Sequence, residues 1–273
     1  MMKNIKSSKE DWYDYYSSRK QTTLIDLVDI NDFRNLSHRL LVREIEKCIK
    51  AKRSEKHEPD IIEIGAGDSS MLLDIVKRFR LEGNIYGLDY LPEGCKRLEA
   101  RSAISGVHVN VVCADLFIPP EDLLERFDVV LSFGVVEHFQ DLTSVVRAIG
   151  RYASKDGLIF TLIPNNKEGI YGWLMKKFNE QVYKAHVMYS KQDLENAHRD
   201  AGLQILECKY LVSSNFGMLS WCFAHRKRGT LFWLYKQLTR ISKIIWLFES
   251  KFGCFKPTPL FSPYILCIAR KTL

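Results

Sequence analysis

Ile61-Ile62-Glu63-Ile64-Gly65-Ala66-Gly67-Asp68-Ser69-Ser70 is an apolar run that stops at two glycines and passes into a helix-like stretch over residues 69–79. The isoleucines suit a strand buried in a parallel sheet. Gly65 and Gly67 lack a Cβ, so the chain can turn tightly and let a ligand lie on its backbone. Asp68 or Ser69 is placed to cap the helix that follows. Strand, glycine turn and helix together bring backbone up to a nucleotide-type ligand.

Two details refine the ligand. A phosphate-binding G-x-G-x-x-G loop would have its third glycine where Ser70 stands. Glu63 lies at the mouth of the strand, where a carboxylate is awkward beside a pyrophosphate and welcome beside a cation. Here the chain resembles the class I S-adenosylmethionine-dependent methyltransferases, whose first motif is an acidic residue, x, Gly, x, Gly, x, Gly. Glu63, Gly65 and Gly67 match it, and Ser69 replaces the last glycine. S-adenosyl-L-methionine, the cofactor this resemblance implies, carries a sulfonium and an ammonium and no phosphate.

Outward from the motif, further strand–helix units follow. A second strand ends in Asp89, a carboxylate placed to accept hydrogen bonds from both ribose hydroxyls or, in the plain reading, to cap a helix over 92–103. Tyr90 and Leu91 could pack on an adenine. A third strand over 107–113 is closed by Ala114-Asp115-Leu116, where the resemblance implies that Asp115 meets the adenine amino group and Leu116 lines the ring. A fourth, over 127–133, runs into Gly134-Val135-Val136-Glu137-His138, which resembles the fourth motif of small-molecule methyltransferases and puts Gly134 at the cofactor. It is not the Asn-Pro-Pro-aromatic signature of enzymes that methylate exocyclic base nitrogens. In ubiquinone-biosynthesis O-methyltransferases a similar stretch reads Glu-x-x-Glu-His and can bind a metal. Gly134 breaks that pattern here, leaving Glu137 and His138, so no metal is expected. A helix over 141–154 and a fifth strand over 157–163 follow, then an inserted helix over 169–180 that could wall an apolar acceptor. His186…Tyr189-Ser190 resembles the stretch bordering the acceptor site in the same families.

The expected fold is α/β: a Rossmann-like, doubly wound, seven-stranded sheet whose last strand is antiparallel, with a helical insertion before that strand. Residues 1–58 read as an N-terminal helical lid or docking segment. Residues 59–212 read as the cofactor-binding core, 213–259 as a basic aromatic insertion, and 260–273 as the final strand of the core. The sequence holds seven cysteines with no C-x-x-C pair and no visible N-terminal signal, which fits reduced thiols in the cytoplasm.

The formal charge of +7 sits in one place. Residues 219–256 hold Arg226, Lys227, Arg228, Lys236, Arg240, Lys243, Lys251 and Lys256 against the single acid Glu249, so the remainder sums to zero. Trp221, Trp233, Trp246 and several phenylalanines are interleaved with these cations. A basic, aromatic amphipathic helix pair could lie on an anionic membrane surface, which would make the protein peripheral on its inner face. A helical subdomain or dimer interface is the plainer reading. RNA would also fit a basic patch, but no recognition module is visible.

These readings converge on an S-adenosylmethionine-dependent methyltransferase, with O-methylation of a small-molecule, lipid-linked or glycan acceptor as the expected reaction. His138, His186 and Glu137 are the candidates for removing the acceptor's proton. The rivals are an NAD(P)-dependent oxidoreductase, disfavoured by Glu63 and the missing glycine, and a methyltransferase-fold binding protein without turnover.

Overall fold

Seven strands pair in the order β3-β2-β1-β4-β5-β7-β6. Five are parallel: β1 (Ile61–Ile64), β2 (Ile85–Asp89), β3 (Asn110–Cys113), β4 (Phe127–Phe133) and β5 (Ala153–Pro164). β7 (Tyr264–Lys271) runs antiparallel to both β5 and the edge strand β6 (Leu203–Leu211). The computed structural model describes residues 27–54, 57–223 and 227–272. The aromatic stretch at 11–16, read above as part of a lid, lies outside them.

Strand alternation divides the core. In β1, Ile61 belongs to an apolar layer with Ile45 and Ile49 of α1 (Leu36–Lys52), Leu72 and Ile75 of α2 (Ser70–Phe79), and Leu98 of α3 (Pro92–Ser105). Ile62 and Ile64 point the other way. They join Val145, Val146 and Ile149 of α4 (Leu142–Gly150) and Leu194 and Ala197 of α7 (Lys191–Asp200). All four β1 side chains are buried, as a central parallel strand covered on both faces requires. Strand order reverses direction between β2 and β4 on either side of β1, which opens a crevice at the carboxyl ends of those strands.

Several expected limits move. The third strand begins at Asn110, with Val107 and Val109 packing into the core ahead of it. The fourth helix ends at Gly150. β5 starts early, at Ala153, and its register against β4 shifts beside a left-handed Asp156. α7 opens on the expected capping box, with Ser190 and Asp193 each holding the other's backbone N–H. His198 on the same helix is fully buried. Its Nδ1 donates to the Leu194 carbonyl at 2.8 Å, and its Nε2 accepts from the Thr161 hydroxyl at 3.0 Å. Burial pushes its pKa down to about 4.

The insertion between β6 and β7 is not a helix pair. It is a 3-10 turn, Phe216–Phe223, followed by one 23-residue helix, α8 (Thr230–Phe252). Together they bury Phe216, Leu219, Phe223 and Tyr235 against Tyr171, Leu174 and Met175 of α5 (Ile170–Phe178), forming a third, smaller core. The expected acceptor wall therefore spends its apolar face on the insertion, while Trp173 stays 61% exposed. α6 (Glu180–Lys184) follows and leads toward His186. No helix among the described residues is long and apolar enough to cross a membrane.

Gly172 sets how closely α5 lies on the exit from β5. A Cβ there would stand 1.9 Å from the Asn166 backbone carbonyl oxygen. Gly172→Ala should therefore destabilise by about 1–3 kcal/mol, despite alanine's better helix propensity. The thermal midpoint should fall by several degrees; an unchanged or raised midpoint would contradict this packing.

Candidate functional site

A cleft of about 690 Å³, part of it open to solvent, lies at the carboxyl ends of β1, β2, β3 and β4. Its walls are Ile64 and Gly65 after β1, residues 88–91 after β2, residues 114–116 after β3, and Gly134, Val135, His138 and Phe139 after β4. Seven of the residues expected at the site line it directly: Gly65, Asp89, Tyr90, Asp115, Leu116, Gly134 and His138. Glu63, Gly67, Glu137 and His186 are not among its lining residues. Leu91, read with Tyr90 as a residue that could pack on an adenine, also lines it, and Val135 and Phe139 are lining residues that the sequence had not assigned to the site.

The glycine turn is shaped by side chains behind it. Gly65 and Gly67 both take left-handed φ values, +70° and +46°. A Cβ on Gly65 would come within 2.4 Å of a Val135 methyl, so the first turn is clasped by the loop after β4. The Gly67 N–H donates to Asp89 Oδ2 at 2.9 Å, and the Leu91 N–H donates to Oδ1 at 2.8 Å. Asp89 thus ties the β1 and β2 loops together. It does not cap the next helix, whose N-cap is Leu91. The helix-capping alternative is excluded, while Asp89 keeps lone pairs for a ligand.

Ser69 explains the departure from the third glycine. Its hydroxyl donates to Glu63 Oε2 at 2.8 Å and accepts from the Leu72 N–H at 3.2 Å. One side chain caps α2 and holds the buried carboxylate. Between the two cap candidates the structure selects Ser69, while Asp68 pairs with Arg101 at 3.2 Å. Asp115 accepts the Phe117 N–H at 2.9 Å, which fixes the loop that presents Leu116. Asn165 serves as a structural anchor: its side-chain amide donates to the carbonyls of Pro259 and Ser262 at 2.6 and 3.0 Å.

Burial dominates the electrostatics. Desolvation lifts Glu63 to about 8, against the opposing Ser69 hydrogen bond and with the help of Asp89's charge. Desolvation also lifts Asp89 to about 6, although three backbone N–H groups work the other way. Glu137 is lifted to about 8 by burial, and its Oε2 has no hydrogen-bond partner among the described residues. His138 is pushed down to about 3 by burial and the nearby His186, and so is neutral.

Glu137, His138 and His186 come together, each offering a ligand atom within 4.8 Å of the others'. The His138 and His186 rings lie 4.8 Å apart, tilted by 46°. Each histidine uses Nδ1 toward a backbone carbonyl, His138 to Ala185 at 3.1 Å and His186 to Val182 at 2.7 Å. That arrangement turns both Nε2 atoms into acceptors. The Val187 N–H donates to the Glu137 carbonyl at 2.7 Å, docking the His186 loop on the loop after β4. The expectation of no metal counted two ligands on one loop. The fold supplies a third from elsewhere, and a carboxylate with two imidazoles is a donor set that suits a divalent cation.

A family described as a methyltransferase domain matches residues 31–208. The ubiquinone biosynthesis O-methyltransferase of Methylobacterium nodulans is 27% identical over 168 residues, which are 58% of this chain and 64% of that protein. The match thus spans a little under two thirds of that relative's length. Among solved structures, the (4+2)-cyclase SpnF superposes with a TM-score of 0.58 at 14% identity, covering 85% of this chain and 81% of that one. Geranyl diphosphate C-methyltransferase from Streptomyces coelicolor, crystallised with Mg2+, geranyl diphosphate and S-adenosyl-L-homocysteine, superposes with a TM-score of 0.54 at 13% identity, covering 86% and 80%. At such identities the likeness to these two concerns the fold alone.

The buried carboxylates fix a pH dependence for the ligand-free protein. His138 and His198 have depressed folded values, so stability rises as pH climbs toward the unfolded histidine value near 6.5. Glu63 and Glu137 have raised values, so they bind more protons folded than unfolded, and stability then falls as pH rises through about 8. Between about pH 4.5 and 6.5 these two sets oppose one another, and above pH 6.5 the carboxylates act alone, so urea midpoints should decline from pH 6.5 to about 8.5, with Glu63→Gln flattening the decline. A flat profile above pH 6.5 would refute the burial of these groups.

Proposed function

The chain belongs to the methyltransferase domain family and takes S-adenosyl-L-methionine as its methyl donor, and on that premise we propose that it methylates a hydroxyl oxygen of a small, quinone-like or polyprenyl-linked acceptor. The observation that carries the reading is the Glu137–His138–His186 cluster, with His138 on the wall of the cofactor cleft. The relative's name, which joins O-methylation to ubiquinone biosynthesis, supports the same reaction type.

In this reading Asp89 would hold the cofactor's ribose hydroxyls, Leu116 and Tyr90 its adenine, Asp115 the adenine amino group, and Gly65, Gly67 and Gly134 its methionine part. Glu63, buried and held by the Ser69 hydroxyl, would compensate the cofactor's positive charge. The donor is already activated, so the protein's main task is to align acceptor oxygen, methyl carbon and sulfur. When bound, the cofactor would supply an activated methyl group, an oxygen–carbon bond forming as the carbon–sulfur bond breaks to give S-adenosyl-L-homocysteine, and the cluster would take the hydroxyl proton. His138 touches the acceptor side of the cleft, while Glu137 is the stronger base, its value of about 8 lying close to working pH.

A second reading gives the same three side chains a divalent cation, favoured by the unpartnered Glu137 oxygen and the two Nε2 acceptors. A cation held there would supply a Lewis acid that lowers the acceptor hydroxyl's pKa. Glu137, His138 and His186 would then orient the acceptor rather than take its proton.

Two measurements test the proposal. Because a cationic ligand favours the charged carboxylates, cofactor binding should release protons between pH 6.5 and 8, and affinity should rise across that range. Calorimetry in buffers of different ionisation enthalpy reads this directly, and Glu63→Gln should weaken binding by roughly tenfold to a hundredfold. Buffer-independent enthalpy would count against the role of Glu63. Methyl-labelled cofactor with phenolic and lipid-extract acceptors tests the chemistry. Rates should rise with pH toward about 8, and Glu137→Gln or His138→Ala should lower kcat by about 10²–10⁴. Activity lost on chelation and restored by a divalent metal would select the second reading; full activity in both variants would sink both.

A further inference from the structure

The helix α8 is amphipathic in the wrong sense for an ordinary surface helix. Its buried positions are Tyr235, Ser242, Trp246 and Glu249, and they dock largely through hydrogen bonds. The Ser242 hydroxyl accepts from the Phe216 N–H at 2.9 Å, and the Trp246 indole N–H donates to the Ser214 carbonyl at 2.8 Å. Glu249 accepts from the Ser213 hydroxyl and from the Phe255 N–H, both at 2.8 Å. Opposite, Leu234, Ile241, Ile244, Phe248 and Phe252 recur at intervals of seven, three, four and four, and all face solvent, Phe252 with 77% of its surface. Surface helices normally turn such a stripe inward. A contiguous exposed stripe of this kind marks an interaction surface.

Charge chooses the occupant. Lys236, Arg240 and Lys251 run beside the stripe at helical spacing, all exposed, and exposed Lys227 and Arg228 precede the helix. Glu249, the helix's sole acid, is turned inward and hydrogen-bonded. The surface therefore presents apolar side chains flanked by cations and no exposed carboxylate of its own. A second copy seated on it through a twofold axis would bring the same cations face to face. An anionic bilayer meets both features at once: its acyl boundary takes the leucine, isoleucine and phenylalanine side chains, while the lysine and arginine stems reach back to its phosphates.

We propose that α8 is a membrane-interface helix, which lies flat on an anionic phospholipid surface through Leu234, Ile241, Ile244, Phe248 and Phe252 and is held there by the basic row beside them. The proposal concerns a surface built by the insertion and does not rest on the methyl acceptor's identity.

The full chain should co-float with vesicles of phosphatidylcholine containing 30% phosphatidylglycerol (about that fraction suffices for a strong surface potential) and not with phosphatidylcholine alone. Ile244→Glu with Phe248→Glu should abolish flotation. Reversing Lys236, Arg240 and Lys251 to Glu should weaken it on the order of a hundredfold, and high salt should do so for the unaltered chain. Both variants should keep wild-type affinity for S-adenosyl-L-homocysteine, which shows that the fold and the cleft are intact and separates this test from that of the proposed reaction. Absence of flotation on anionic vesicles would overturn the proposal, as would binding indifferent to both sets of substitutions. A wild-type dimer in light scattering that Phe248→Glu makes monomeric, with no vesicle binding, would assign the stripe to a second copy instead.

Discussion

Desolvation of carboxylates at one edge of the sheet is the constraint on which the rest of the site depends. Glu63, Asp89 and Glu137 are each buried near the ends of neighbouring strands, where water cannot stabilise their charge. Asp89 offsets part of that cost with backbone N–H donors, among them those of Gly67 and Leu91, and Glu63 with the Ser69 hydroxyl. Glu137 leaves an oxygen without a hydrogen-bond partner among the described residues. Such an edge is electrostatically incomplete, and the cationic ligand proposed for it would complete it. The glycine turn is the counterpart in shape: its residues take left-handed φ values, and Val135 leaves no room for a side chain at Gly65.

Much of this was legible in the sequence because it is local. β1, its glycines and Glu63 lie within one short stretch, so composition and spacing report the turn and its buried acid together. Asp89, Asp115 and Gly134 were readable because each stands just after a strand-like run, and parallel strands in such a sheet deliver their carboxyl ends to one edge. Ser69 looked like a defect in a motif. It has a positive role that only coordinates reveal, since its hydroxyl serves two partners at once.

The parts that were not legible depend on long-range contact. His186 reaches His138 because the loop after α6 docks through Val187 onto Glu137, a contact that no periodicity encodes. The strand limits around β3 and β5 shifted because apolar residues continue the core beyond the hydrogen-bonded ladder, and because the left-handed Asp156 lies beside a register shift. The insertion's helical periodicity was visible, yet its orientation was not. Apolar spacing alone reads as core, whereas here Ser242 and Glu249 take the inward face and the apolar stripe takes the outward one.

The two ends of the insertion have a consequence for how such a chain can change. Leu211 at the end of β6 pairs directly with Tyr264 at the start of β7, so to the sheet everything between them is a hairpin turn, however long it grows. A segment closed this way can be enlarged or trimmed at little cost to the ladder. The constraint on exchange comes from elsewhere: the Tyr171 hydroxyl accepts from the Asn215 N–H and donates to the Phe261 carbonyl, and the rest of α5's apolar face is roofed by the appended residues. The appendage and α5 are thus a matched pair, modular with respect to the sheet and inseparable from one another, so a graft between relatives would have to carry both.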